Sequence, residues 1–198
     1  KPWRWNLNPV SMKSREDHNS PWYPHRTLVA SFFRTQPIIS LNEFLGDQPK
    51  SAMRFLIPSF NSDSKNPLDE ATPESLVSWA KINPHTRFPL IASAITLFRN
   101  DDTGAIVWTP TALQVLDLSP DRIAVLTGFR SQFYPNAWGG SLANILESRR
   151  LPLRALLTYP DQTVVSWARD QDAALGRRAE TERLREGLMD RQTDQSFE

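Results

Sequence analysis

Two adjacent glycines ahead of a serine, in Trp138-Gly139-Gly140-Ser141, come nearest in this chain to a spacing that could do chemistry. Glycines in front of a capped helix can turn backbone N–H groups toward an anion. The stretch lacks the Gly-Lys-Ser/Thr of a phosphate-binding loop and the symmetric glycines of a nucleophile elbow, so a tight turn with Ser141 as N-cap accounts for it. His18, His25 and His85 are scattered. None has a second histidine or a carboxylate three or four residues away on an expected helix, which leaves a metal without a ligand set. Asp121 and Asp161 stand at equivalent expected helix starts, where a carboxylate meets the positive end of the helix dipole; capping is the simpler role for both. No catalytic constellation emerges from these residues. The expectation is a non-enzymatic protein without a cofactor.

Binding chemistry has more to work with. Arg149, Arg150 and Arg154 fall on one expected helix, with Arg122 and Arg130 on the preceding one. Together with Trp138 they are the candidate binding residues: a basic strip across neighbouring helices could meet nucleic-acid phosphates. Against that, 23 Lys and Arg balance 22 Asp and Glu for a formal charge of +1, which supplies no field for a polyanion. A solvated helix face is the alternative for the strip. Trp3-Arg4-Trp5 could stack bases, or dock as a tail onto the core.

The elements that must position these side chains divide the chain at about residue 66. Residues 1–66 are rich in Pro, Ser and Asn yet carry Trp3, Trp5, Trp22, Phe32, Phe33, Phe44, Phe55 and Phe60, too many aromatics for a disordered tail. An irregular segment is expected there, with short helices at 26–34, 41–45 and 50–56, packing on or capping the rest. Ser40 and Glu43 have capping-box spacing, and 61–66 is the expected exposed linker. Beyond it, Thr72-Pro73, Asn83-Pro84, Thr109-Pro110 and Ser119-Pro120 each set an N-cap type before a proline at the first helical position, where its missing N–H costs nothing. Apolar spacing predicts helices at 74–81, 87–99, 111–118, 122–133 and 142–158, then a charged helix from about 162 to near 190. The stripe of Leu175, Ala179, Leu184 and Leu188 on that last helix is too ragged for a coiled coil.

Three turns align on their prolines: Ile82-Asn83-Pro84-His85, Leu118-Ser119-Pro120-Asp121 and Tyr159-Pro160-Asp161, with prolines 36 and 40 residues apart. Seven residues before each proline stand Val77, Leu113 and Leu153; four before it, Ala80, Leu116 and Leu156. Four after it come Phe88, Ala124 and Val164, and five after it Pro89, Val125 and Val165. This spacing puts apolar residues on one face on each side of a turn. A second periodicity, Trp79, Trp108, Trp138 and Trp167 at intervals of 29, 30 and 29, disagrees in register and aligns only one position. The tryptophans are then packing residues between units.

Residues 72–179, with Asn/Asp-Pro turns between helices and a proline in the helix containing Pro152, resemble the HEAT and armadillo class of helical repeats. The resemblance implies a short α-solenoid of antiparallel helix pairs. With few repeats, the ends would need caps from residues 1–66 and the last helix.

The expected fold is therefore all-α, with an irregular aromatic- and Pro-rich N-terminal segment, a helical-repeat domain over 72–198 and a long charged C-terminal helix. The expected function is a scaffold or interaction module contacting a protein partner or another domain of its own polypeptide. A nucleic-acid-binding HEAT-like domain of DNA repair or defence is the alternative. The longest apolar run, about eleven residues at 88–98, falls short of the roughly twenty that span a bilayer, and cysteine is absent. No membrane contact and a cytoplasmic location are expected. The start, Lys1-Pro2-Trp3, lacks Met and a signal-peptide core, so a processed product or, preferably, a piece of a longer protein is expected, and the charged Ala/Arg/Glu-rich end suggests the C-terminal part of a larger bacterial protein.

Overall fold

The computed structural model describes residues 23–46, 66–135 and 138–195. Over these the chain is mostly helical, with one small two-stranded sheet. Helix α1 (Tyr23–Thr35) is followed after Gln36 by α2 (Pro37–Leu45). Pro37 opens α2 at its first position, which puts Ser40 inside the helix; its hydroxyl donates to the Gln36 carbonyl at 2.9 Å, and the expected capping box with Glu43 does not form. The helix expected at 50–56 lies outside the described residues. Asn66, expected in an exposed linker, is instead buried: its side-chain oxygen caps the 3-10 turn Pro67–Glu70, and its amide donates to the Ala94 carbonyl at 2.6 Å.

Thr72 accepts from the Ser75 N–H and starts α3 (Pro73–Ile82), and α4 (Pro84–Ala94) follows at once. The helix expected to reach residue 99 ends at Ala94. Asn66 takes the Ala94 carbonyl, and the Asp69 carboxylate accepts from the Thr96 hydroxyl at 2.7 Å, so partners from upstream replace the next helical turn. The chain then forms β1 (Phe98–Asn100) and β2 (Ile106–Trp108), antiparallel with Phe98 opposite Trp108. In the connecting loop Asp101 Oδ1 accepts from the N–H groups of Thr103 and Ala105, both at 2.9 Å, while Gly104 takes φ 81°, a value that needs no Cβ.

Thr109 caps α5 (Pro110–Leu118). Ser119-Pro120 turns out to close α5 and not to open the next helix; Asp121 is the N-cap of α6 (Arg122–Phe129), accepting from the Ala124 N–H at 2.9 Å. A 3-10 turn, Arg130–Phe133, extends α6. The helix expected over 142–158 is interrupted. It divides into α7 (Leu142–Ser148), α8 (Arg150–Ala155) and the 3-10 turn Leu156–Thr158. In an unbroken helix the Pro152 ring would collide with the Ser148 carbonyl; as the third residue of α8 it needs no donor, so the break falls at Arg149. The last described element, α9 (Gln162–Gln195), is 34 residues long, a rod of about 50 Å.

One contiguous buried cluster runs from Phe33, Leu41 and Leu45 through Trp79, Phe88 and Ile91 to Phe129, Phe133, Leu153 and Leu175. Helix α3 packs on α4, α4 on α6, α5 on α6, and α7 and α8 on α9. The hairpin is tied in by Trp108, whose ring meets Phe98, Phe129 and Phe133 and whose indole N–H donates to the Pro152 carbonyl at 2.7 Å. Trp79 is fully buried with its N–H on Asn42 Oδ1, Trp167 packs against the core, and Trp138 is exposed. Of the aligned positions, Ala80, Leu116 and Leu156 are all buried; Val77 and Leu153 are buried while Leu113 is half-buried against the core.

Candidate functional site

His85, Asp121 and Asp161 each directly follow the proline of their turn. They line a single hollow of about 290 Å³ with Pro120, Arg122, Ile123 and Thr163. Three turns distant in sequence thus meet along one edge. Asp161 Oδ1 accepts from the N–H of Thr163 at 2.9 Å and from its hydroxyl, and Oδ2 accepts from Arg122 Nη1 at 3.0 Å. The Thr163 bonds first, then Arg122, hold its carboxyl below the ordinary carboxylate range. Arg122 Nη2 also donates to the Asp117 carbonyl, and the Tyr159 hydroxyl donates to the Asp117 carboxylate. Burial, then that acceptor, pushes the Tyr159 phenol up. Asp121 and Asp161 thus serve as helix caps, as expected, and they fix the shape of the edge.

Apolar side chains surround these polar groups. Ile82 is 69% exposed two residues before its proline, and Leu118, Ile123 and Leu157 are also exposed large hydrophobics at the turns. Such a mixture of anchored charge and accessible aliphatic surface suits recognition of a complementary surface. Among the described residues no group of three His, Asp or Glu side chains is placed to hold a metal ion.

The five candidate arginines are distributed among separate places. Arg150 makes a two-toothed pair with Asp172, Nε to Oδ1 at 2.8 Å and Nη2 to Oδ2 at 3.0 Å, and reaches Glu147 through Nη1. Asp172 raises the Arg150 pKa, and Arg150 in turn lowers that of Asp172. Arg154 lies 3.5 Å from both Glu147 and Asp172. Arg149 is buried and turned inward, Nη1 donating to the Gln132 carbonyl at 3.0 Å; burial pushes its guanidinium down to about 10. Arg122 belongs to the proline edge. Arg130 is exposed beside a second hollow, of about 580 Å³, lined also by Thr127, Ser131, Tyr134, Ala174 and Arg178. Three arginines therefore join α7 and α8 to neighbouring elements. The Glu147–Arg150 spacing of three was the signal for part of this; nothing local marks Asp172 or Arg178 as partners in space.

At Trp138-Gly139-Gly140-Ser141, Gly140 takes φ 74° and Ser141 caps α7, accepting from the Asn144 N–H at 3.1 Å. The anion at this helix start is the chain's own Glu186. It accepts from the Ser141 hydroxyl at 2.7 Å and from the Ala143 N–H at 3.2 Å, bonds that keep its carboxyl below the usual range. Trp138, in the loop just before, is 45% exposed.

No described helix is long and apolar enough to cross a membrane. Comparison of the chain with protein-family models, with curated proteins and with solved structures finds no match.

Proposed function

We propose that this chain is a non-catalytic helical-repeat scaffold, a short α-solenoid of antiparallel helix pairs of the HEAT or armadillo kind, whose proline-turn edge docks on a protein partner or on another domain of the same polypeptide. The observation that carries the reading is the meeting of His85, Asp121 and Asp161, equivalent residues of three turns, in one hollow. The packing of α3 on α4, α5 on α6 and α8 on α9, with α4 against α6, supports successive two-helix units. Burial at Ala80, Leu116 and Leu156 supports the same register, which Leu113 follows less closely. A setting in a larger cytoplasmic bacterial protein belongs to the same proposal.

The alternative, a nucleic-acid-binding HEAT-like domain of DNA repair or defence, draws on Arg130 and Arg178, both exposed and in one hollow. It is the weaker reading because Arg122, Arg150 and Arg154 are engaged with carboxylates and Arg149 is buried.

A photo-crosslinking residue at Ile82 or Leu118, in cells that express the full-length protein, separates the two. The scaffold reading expects a discrete protein adduct that disappears when Ile123→Asp and Leu157→Asp are added, with none from a crosslinker at exposed Thr103. Equal adducts from Thr103, or none at the edge together with oligonucleotide binding that weakens steeply with salt, would overturn it.

A further inference from the structure

The hollow between the end of α6 and the middle of α9 is not part of the proline edge. Its wall on one side is Thr127, Arg130, Ser131 and Tyr134, and on the other Ala174 and Arg178. The spacing explains the convergence. Thr127, Arg130 and Ser131 are three or four residues apart on one face of α6 and its 3-10 extension, with Tyr134 just past its end, while Ala174 and Arg178 are one turn apart on α9. Ala174 contributes only a methyl group, which leaves the space open.

Every polar group on this lining except Thr127 is a donor with no hydrogen-bond partner among the described residues. Thr127 donates to its own helix, to the Ile123 carbonyl at 2.8 Å. Arg130 and Arg178 make no ion pair there; the Arg178 guanidinium carbon lies 5.3 Å from the centroid of the Tyr134 ring, a contact that orients the group and leaves its N–H edges open. No carboxylate lines the hollow. Other arginines of the described structure are held by carboxylates: Arg122 by Asp161, Arg150 by Asp172, Arg183 by Glu180 and Arg185 by Glu182. Here two guanidiniums without a carboxylate line one hollow together with the Ser131 and Tyr134 hydroxyls.

We infer that this hollow binds a small molecule bearing a phosphate monoester. Two guanidiniums match the charge of about −2 that a monoester carries at neutral pH, and its three terminal oxygens match the converging donors. A volume of about 580 Å³ is that of a small-molecule site. A nucleic-acid backbone, with one charge per phosphate, needs a track of free cations leading away from the first; here Arg150 and Arg154 are turned to Asp172 and Glu147.

The test is a titration of the full chain with phenyl phosphate, followed by NMR at the backbone amides of 127–134 and 174–178 and at the arginine Nε–H groups. Saturable shifts are expected at Arg130 and Arg178 and not at Arg177. Phenyl sulfate, a monoanion of similar shape, should bind about fivefold or more weakly, and Arg130→Gln or Arg178→Gln should each weaken phenyl phosphate by about tenfold. Ser131→Asp, which places a carboxylate in the hollow, should abolish binding and serves if either arginine variant fails to fold. Shifts that do not saturate, that are as large at Arg177, or that survive these substitutions would overturn the site. Tighter binding of a single-stranded oligonucleotide or of phosphatidic-acid vesicles, lost with the same substitutions, would overturn the small-molecule assignment.

Discussion

Asp172 holds more of the α8–α9 contact than any other acceptor, because its two oxygens take both teeth of Arg150 where each side chain is only 20% exposed. Replacing it with alanine leaves Arg150 half-buried with Glu147 as its remaining partner. A loss of about 1–3 kcal/mol in urea unfolding is expected for Asp172→Ala, and less than about 1 kcal/mol for the more exposed Glu147→Ala. Arg149 presents the opposite case. Its charge is opposed by burial, so Arg149→Met, which keeps the length and removes the charge, should leave stability within about 1 kcal/mol of the parent or above it, whereas Arg149→Ala opens a void and should cost about 2 kcal/mol or more. Chemical denaturation of the two variants side by side decides this. The Ser141, Asp121 and Asp161 caps were legible because a cap and the N–H that donates to it lie within one turn of sequence. Glu186 was not, since it reaches Ser141 from 45 residues away.

Among the elements, α4 and α6 cross closely at Gly128. A Cβ on Gly128 would lie 3.0 Å from both the Pro89 carbonyl oxygen and the Ala92 Cβ, so the two helices meet backbone to backbone. Gly128→Val should therefore destabilise by about 2 kcal/mol or more through overpacking. Gly187 on α9 has nothing within 4 Å of its notional Cβ, and Gly187→Ala should stabilise by up to about 1 kcal/mol, the difference in helix propensity. Thermal melts by circular dichroism read both signs. The starts of α3, α4 and α5 were legible from proline at the first position, whereas Ser119-Pro120 closes α5 and the hairpin was not legible. Residues 88–98 read as one apolar run, and what stops it is Asn66 and Asp69, whose side chains meet Ala94 and Thr96 from nearly 30 positions upstream. The break at Arg149 was readable in principle from Pro152, through the carbonyl four residues before it.

For the whole molecule, the acid limb of stability follows from the carboxyls of Asp161, Asp172 and Glu186. All three are lowered by donors that favour the charged form. Folded values below unfolded ones mean that their contribution is complete above about pH 4–5, the ordinary carboxylate range, and is lost as pH falls through the folded values. Calorimetry should show a nearly constant Tm from neutrality to about pH 5 and a steep fall below about pH 4, made shallower by Asp172→Asn. A fall centred near pH 6 would assign the limb to histidine instead. The mostly helical character was legible from periodicity and caps. The proposed stacking of units rests on aligned positions that match in chemistry and not in identity.

Helix α9 also sets a schedule. Val164, Ala168, Leu175 and Ala179 belong to the same buried cluster as Phe129, Phe133 and Leu153, yet they are the last of its members to be synthesised. At about 5–20 residues per second, the aromatic end of α6 waits several seconds on the ribosome before the residues that cover it exist. During that interval the face of Phe133 that Trp167 later meets is uncovered apolar surface. A holding chaperone, a slow-translated stretch, or rapid docking of α9 as it emerges would each decide how much of the newly made chain escapes aggregation.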